Sequence, residues 1–537
     1  MIKEKITELE TKSLKSGALV VFATTLIGSI LGIVKNILLA SRFGASIYLD
    51  IYFAAFRIPD FFYNIFVFGA LSSAFFPVFS ETILKGKEET FKLFSFISVV
   101  FISLIIVLSL VVLIFNDQIA YLIAPGFSKE ALKELAAIIP ILMLQPLFLS
   151  LANLTANFLQ LYKRFFISTF AQIFYNLAII LGIIFLTNSL GIRGAIWGVI
   201  LGSFLYLIIQ IPTLKNLGFK FNLKIKESLI YFKKIINLMI PRTLMLLANN
   251  AIYFEITIAA SFLASGSLAN YNLADSIQAL PQTIIALSFI TVAFPTLSNF
   301  WAKYQQEESQ EEKETHLKDF EKVVKDTIYN ILTIIIPISL LLIVFSRGVV
   351  SLLFGYGNFL ESDQIITANL LAIFAIFLPI QALILFLIRI FFSLADSKTP
   401  LISLLISLVF SIPLVWFLSK AIGVYGIALG VGIGALINFI ALISYLQKKI
   451  NLDLKNILKI SLKSYALGLI SCLIGYIVYY FLNLIIISNS FIFLLIKLLI
   501  AGGVAIGIFI LFDKKSVFQI IVQSFKKLIF KNGDKKY

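Results

Sequence analysis

The chain has 537 residues, of which 60% are hydrophobic and only 13% charged, with a net charge of +16. Soluble globular chains run near half apolar and a quarter charged, which excludes a soluble enzyme and a disordered scaffold. One cysteine, Cys472, and one histidine, His316, exclude an internal disulfide framework and a histidine-cluster metal site, so a polytopic helical membrane protein remains.

Apolar runs of about 20 residues, taken in chain order, predict fourteen transmembrane helices. They lie near 17–40, 48–80, 93–115, 131–159, 165–187, 192–213, 235–263, 268–299, 326–345, 364–393, 400–419, 424–446, 460–482 and 490–512. No period-two alternation competes with them, so the fold class is all-α. Residues 1–15 are charged and amphipathic and the first apolar run is of full length, so no cleavable leader is expected. With the N-terminus inside, 33 of the 44 lysines and arginines fall in the even-numbered connections and the two tails. The opposite loops hold six, Arg42, Lys129, Lys133, Arg193, Arg347 and Lys420, and Lys35, Arg57, Arg242, Arg389 and Lys497 are intramembrane. This is a positive-inside pattern. It assigns the basic charge to topology and to anionic lipid headgroups rather than to nucleic acid. It predicts a multi-pass protein of a bacterial cytoplasmic membrane with both termini in the cytoplasm. The charged stretch 304–325 reads as a solvated helical extension or as a regulatory or partner site.

The chain also repeats itself. Gly191, Gly194, Gly198 and Gly202 have the same spacing as Gly423, Gly426, Gly430 and Gly434, 232 residues later. Gly44 and Pro59 match Gly266 and Pro281 at an offset of 222, and Phe76-Pro77 with Ser80 matches Phe294-Pro295 with Ser298 at 218. Predicted helices 1–6 and 7–12 therefore read as two copies of one six-helix unit, and helices 13 and 14 have no counterpart. The domains expected are 1–215, 216–450 and 451–537. An even number of helices in each copy makes the repeats parallel, about an axis along the membrane normal, which is transporter architecture.

Ionisable groups in a bilayer are costly and usually face a cavity or a partner. They concentrate in predicted helices 1, 2, 7 and 8: Lys35 and Asn36; Asp50, Arg57, Asp60 and Asn64; Arg242, Asn249, Asn250 and Glu255; Asn272, Asp275, Gln278 and Gln282. Asp50, Arg57 and Asn64 are seven apart, which places them on one helix face, and Arg242 and Asn249 repeat that spacing. The set lines one polar cavity, or its members pair among themselves as structural glue, Arg57 with Asp60 or Asp50 above all. The substrate-binding candidates are Lys35, Asp50, Arg57, Asn64, Arg242, Asn249 and Asp275. Lys497 is expected to snorkel to the interface. Prolines 59, 281 and 295 are expected to bend the cavity helices. No nucleotide-binding loop is present, so no ATP, cofactor or metal is expected.

Certain segments resemble a known family. Ile30-Leu31-Gly32, Arg42-Phe43-Gly44-Ala45, Asp50, Phe56-Arg57-Ile58-Pro59 and Gly69-Ala70 through Ala74-Phe75 to Pro77 resemble the start of the MurJ (MviN) family. Those proteins are lipid II flippases of the multidrug/oligosaccharidyl-lipid/polysaccharide exporter superfamily. Ala260-Ser261-Phe262-Leu263 with Ala264-Ser265-Gly266-Ser267 is similar to the family's seventh-to-eighth helix join. Ala395-Asp396-Ser397-Lys398-Thr399-Pro400 resembles its loop after helix 10. The resemblance implies transport of undecaprenyl-linked peptidoglycan precursor from the inner to the outer leaflet by alternating access, driven by membrane potential or an ion gradient. It also implies a lipid-tail groove at helices 13 and 14. The departures are in charge. The family's helix-1 arginines match Ser29 and Lys35, its arginine pair and glutamate in helix 2 match Tyr63, Asn64 and Phe68, and its helix-8 arginine matches Ser276.

A lipid II flippase is thus the leading expectation, with the lipid-linked precursor and membrane lipids as partners, a coupling ion left open, and a monomer as the working unit. A flippase for another lipid-linked oligosaccharide, a cation-coupled drug exporter and a non-transporting scaffold are the alternatives. The charge pattern places the 215–234 connection in the cytoplasm. In intact cells, Lys220→Cys should stay unlabelled by a membrane-impermeant thiol reagent, and labelling from outside would reverse the topology.

Overall fold

In the computed structural model, residues 14–65, 75–486 and 490–513 are described. Their regular structure is helical throughout. They form two compact units, Met1–Asn272 with Tyr356–Leu360, and Leu273–Gly355 with Glu361–Tyr537.

The first unit opens with α1 (Leu14–Phe43), α2 (Ile47–Ala55), α3 (Arg57–Tyr63) and α4 (Phe76–Lys85). It continues with α5 (Lys87–Ile114), α6 (Asn116–Ile123), α7 (Lys129–Leu142), α8 (Leu144–Leu161), α9 (Phe165–Leu190) and α10 (Ile192–Ile208). The short α11 (Ile211–Asn216) and the long α12 (Ile225–Ser261) follow. The predicted helix 48–80 is not continuous. It breaks at Phe56, because Pro59 has no N–H to offer the Ala55 carbonyl and its ring crowds that oxygen. Pro146 stands in the same relation to Leu142, where α7 ends and α8 begins one residue later. α12, with 37 residues, is about 55 Å long and outreaches a hydrocarbon layer of about 30 Å.

Phenylalanines fill the core of this unit. Phe75, Phe79, Phe91, Phe94, Phe101 and Phe158 are buried together, with the Phe94 and Phe158 rings 4.4 Å apart. The connection before α12 docks on α5 and does not hang free: Phe219 sits edge-on to Phe91 and Phe94, and the Asn222 N–H donates to Ser95 Oγ at 3.2 Å. The C-terminus of α1 is finished from far along the chain. Asn358 donates its backbone N–H to the Ser41 carbonyl at 2.8 Å and its side-chain amide to the Arg42 carbonyl at 2.7 Å. Gly357 permits the approach, since a Cβ there would lie 2.3 Å from the Ser41 oxygen.

α13 (Ser267–Pro281) runs into the second unit, where a π-helical turn, Gln282–Ala286, follows Pro281 directly. Then come α14 (Leu287–Gln306), α15 (Gln310–Val344), α16 (Ser346–Phe354), α17 (Glu361–Ser393), α18 (Lys398–Ile422), α19 (Val424–Gln447), α20 (Leu454–Ile485) and α21 (Phe491–Phe512). One continuous apolar core joins α14, α15, α17, α19 and α20. The charged stretch 304–325 ends α14 and begins α15, and its Glu321 accepts from the Asn451 N–H at 2.7 Å. Lys497 does not snorkel: its side chain is 1% exposed, because α20 and α16 pack over that face of α21. Among the described residues thirteen stretches are long and apolar enough to cross a membrane. The segment 48–80 is not one of them, because of the break at Phe56 and because residues 66–74 lie outside the described set.

The same helix-pair contact recurs in both units. In the first, a Cβ on Gly194 would lie 2.5 Å from the Leu186 carbonyl carbon, and one on Gly202 would lie 2.5 Å from the Tyr175 oxygen. In the second, one on Gly426 would lie 2.1 Å from the Leu418 oxygen, and one on Gly434 would lie 2.6 Å from Ser411 Cβ. The backbones of α9 and α10, and of α18 and α19, approach this closely because those faces carry no side chain. Gly194→Ala should therefore cost about 1–3 kcal/mol by overpacking, read as a lower Tm in detergent. Gly32→Ala in α1, where a Cβ meets nothing within 4 Å, should leave Tm unchanged or raise it.

Candidate functional site

The polar residues foreseen for a cavity divide among three places. Asp50 on α2 faces neither the others nor open space. It is 2% exposed, and its two carboxylate oxygens accept from the Gly266 and Ala269 N–H groups at 2.7 Å each. Those amides belong to the first turn of α13, where N–H groups have no helical partner and the dipole favours an anion. Gly266 makes the approach possible with φ +87°. The seven-residue spacing to Arg57 does not place the two on one face, because the helix breaks between them at Phe56. Asp50 is a helix cap in this structure, which corrects its expected place on the cavity stripe.

Arg57, Asp60, Lys35 and Asn64 do come together, all in the first unit. Lys35 on α1 and Asp60 on α3 are half-buried. Asp60 accepts from Gln145 of α8 and lies within electrostatic reach of both Arg57 and Lys35. Arg57 Nε donates to Thr257 Oγ1 at 2.6 Å and Nη2 to Asn272 Oδ1 at 3.4 Å. The guanidinium carbon stands 5.5 Å from the centre of the Tyr253 ring, at cation–π range. Asn64 donates to Asn250 Oδ1 at 3.3 Å. Asn249, also on α12, is half-buried and its amide donates to the Met245 carbonyl at 3.2 Å. The Arg242 side chain lies outside the described residues. Asp275 belongs to the second unit, where it accepts from Gln278 at 2.8 Å.

Four participants were not foreseen as site residues: Gln145, Tyr253, Thr257 and Asn153, whose amide donates to the Tyr63 hydroxyl at 2.8 Å. Asn250, Tyr253, Thr257 and Ser261 form an i, i+3, i+7, i+11 stripe on α12, a helical periodicity that counting ionisable groups alone passes over. The cluster as a whole is a cationic patch at membrane depth, walled by amides, hydroxyls and tyrosines. It can hold an anion with several oxygen acceptors, and among the described residues no group of acids, histidines and cysteines could hold a metal.

A second polar centre lies in the loop between α17 and α18. The Asp396 carboxylate accepts from the Lys398 and Thr399 N–H groups at 3.1 and 3.0 Å and from the Thr399 hydroxyl at 2.7 Å, and it pairs with Lys449 at 2.6 Å. Partial burial works to raise the carboxyl, but the Lys449 bond and the Thr399 donors outweigh it and bring it down to about 2.

A bundle of broken membrane-length helices around a buried cationic cluster is the build of a polytopic transporter. The comparisons agree at that level: an inward-facing multidrug resistance MATE family transporter matches with a TM-score of 0.62 at 16% identity, over 80% of this chain and 99% of its own, which shows the fold alone. A sequence model described as "Lipid II flippase MurJ" matches residues 39–500, so the chain belongs to the lipid II flippase MurJ family, multi-pass transporters of the bacterial inner membrane. A probable lipid II flippase MurJ of Buchnera aphidicola subsp. Baizongia pistaciae (strain Bp) is 30% identical over 479 residues, covering 87% of this chain and 89% of that protein. A solved structure described as "Lipid II flippase MurJ, inward closed conformation" matches with a TM-score of 0.75 at 25% identity, over 93% of this chain and 100% of that one.

The depressed Asp396 carboxyl stabilises the folded protein fully above the unfolded-state value of about 3.9. That contribution is lost as pH falls toward the folded value of about 2. The Tm difference between the natural protein and Asp396→Asn should accordingly be constant around neutral pH and close as the medium is acidified through this window.

Proposed function

We propose that this protein carries lipid II from the inner to the outer leaflet by alternating access, and that Arg57 meets a phosphate of the undecaprenyl carrier. The family match over residues 39–500 supports the transport reading. The observation that carries the site is the placing of Arg57 beside Lys35, Asn64 and Asn249 in a membrane-spanning bundle. A guanidinium presents paired donors that fit phosphate oxygens, and outside bulk water that pairing is stronger. Lys35, Asn64, Asn249, Arg242 and Asp275 complete the proposed substrate set, and Asp50 serves it indirectly by fixing the start of α13. Lobes 1–215 and 216–450 are the moving parts, with 451–537 guiding the lipid tail. Both termini are cytoplasmic, the working unit is a monomer, and an ion or the membrane potential supplies the drive.

The test is rescue of cells depleted of their own lipid II flippase, with flipping measured directly. The natural chain should restore growth. Arg57→Ala should lower flipping about 10–100-fold, as expected for hydrogen bonds to a charged group of roughly 1.5–3 kcal/mol, with insertion unchanged. Arg57→Lys, which keeps charge but loses the fork, should be partly active. Recovery of transport in Arg57→Ala with Asp60→Ala would show instead that Arg57 only balances a carboxylate.

A further inference from the structure

The three side chains that hold Arg57 have one property in common: none is charged. Thr257 accepts from Nε at 2.6 Å, and it can do so because its own hydroxyl hydrogen is spent on the Tyr253 carbonyl at 2.8 Å. Asn272 turns Oδ1 toward Nη2 because its amide donates to the Leu268 carbonyl at 2.7 Å. The Tyr253 ring offers a π-face at 5.5 Å. Each donor is used on the residue's own helix, four positions back or in the ring's case not at all, so each presents only an acceptor to the guanidinium. Such partners fix the direction of a cation without cancelling its charge, whereas a carboxylate in the same place would do both.

Position 272 is where a carboxylate is expected from the internal repeat. It lies 222 residues after Asp50, the offset that pairs Gly44 with Gly266 and Pro59 with Pro281. The first copy carries an acid there and spends it on the α13 amides. The second copy carries an amide, and this amide is the one that meets Arg57.

We infer that Asn272 and Thr257 are positioning residues that aim the Arg57 guanidinium while leaving its charge for an anionic diphosphate, and that the neutrality of position 272 sets the preference for an anionic cargo. This rests on Arg57 as the phosphate-binding residue. The pair act through Arg57 and do not themselves take part in recognition of the saccharide.

The decisive variant is Asn272→Asp, which keeps size and acceptor but adds a negative charge. The probe is undecaprenyl diphosphate, titrated into the full-length purified protein in detergent. Affinity should fall about tenfold or more while Tm stays level or rises, because the new carboxylate pairs with Arg57. A purely structural role for Asn272 gives the reverse, with affinity kept by a stronger clamp. In an Arg57→Ala background Asn272→Asp should have no further effect, and an additive loss there would overturn the inference. Thr257→Val should weaken binding and Thr257→Ser should restore it, which keeps the question open to measurement if Asn272→Asp folds poorly. If Arg57→Ala alone leaves affinity intact, the phosphate reading of Arg57 falls and the inference with it. If Arg57→Ala abolishes affinity and Asn272→Asp preserves it, only the inference falls.

Discussion

Inside a hydrocarbon layer there is no water to take up a backbone N–H or C=O, and each group left without a partner costs several kcal/mol. Helices meet this demand along their length but not at their ends or breaks, and those are the places where this chain commits its polar side chains. Asp50 closes the start of α13, Asn358 closes the end of α1, and Asp396 closes the start of α18. Each is a residue distant from the cationic cluster or turned from it. Polar residues in a membrane protein therefore sort into two kinds, those that complete the backbone and those left for a cargo, and only the partner atoms tell them apart.

The same demand separates the stiff parts of the bundle from the pliable ones. α9 with α10, and α18 with α19, pack backbone to backbone over glycine faces, an arrangement with no room to shear. The helices that carry the candidate site are different. α2 and α3 are separated at Phe56, and α13 gives way to a π turn after Pro281. π turns and proline breaks leave hydrogen bonds loose at defined points. The cargo-facing residues thus sit on jointed elements backed by rigid pairs.

How much of this was legible in the sequence follows from the range of each interaction. Helix existence is local, and the apolar runs located it. The glycine faces were legible as well, because small residues at constant spacing leave a trace in the chain, and the contacts of Gly194 and Gly426 fall where that trace puts them. The break at Phe56 was only half legible: Pro59 announced a bend, but the loss of a common face for Asp50 and Arg57 follows from where the bend falls. The role of Asp50 was not legible, because its partners lie 216 and 219 residues away and are backbone amides, which leave no mark in sequence. Thr257 and Tyr253 escaped notice for another reason. A hydroxyl and a ring in an apolar run are ordinary, and only the bond from Arg57 makes them part of a site.

The capping of α1 by Asn358 carries a consequence for biogenesis. The two residues joined are 316 positions apart, so α1 is threaded into the membrane long before its last carbonyls can be closed. At about 5–20 residues per second, synthesis takes roughly 15–60 s to cover that distance. During this interval the Ser41 and Arg42 carbonyls depend on water and headgroups at the membrane surface. The α13 cap completes sooner, once Gly266 has followed Asp50. Assembly of this protein is ordered by the arrival of these late closures as well as by the insertion of its helices.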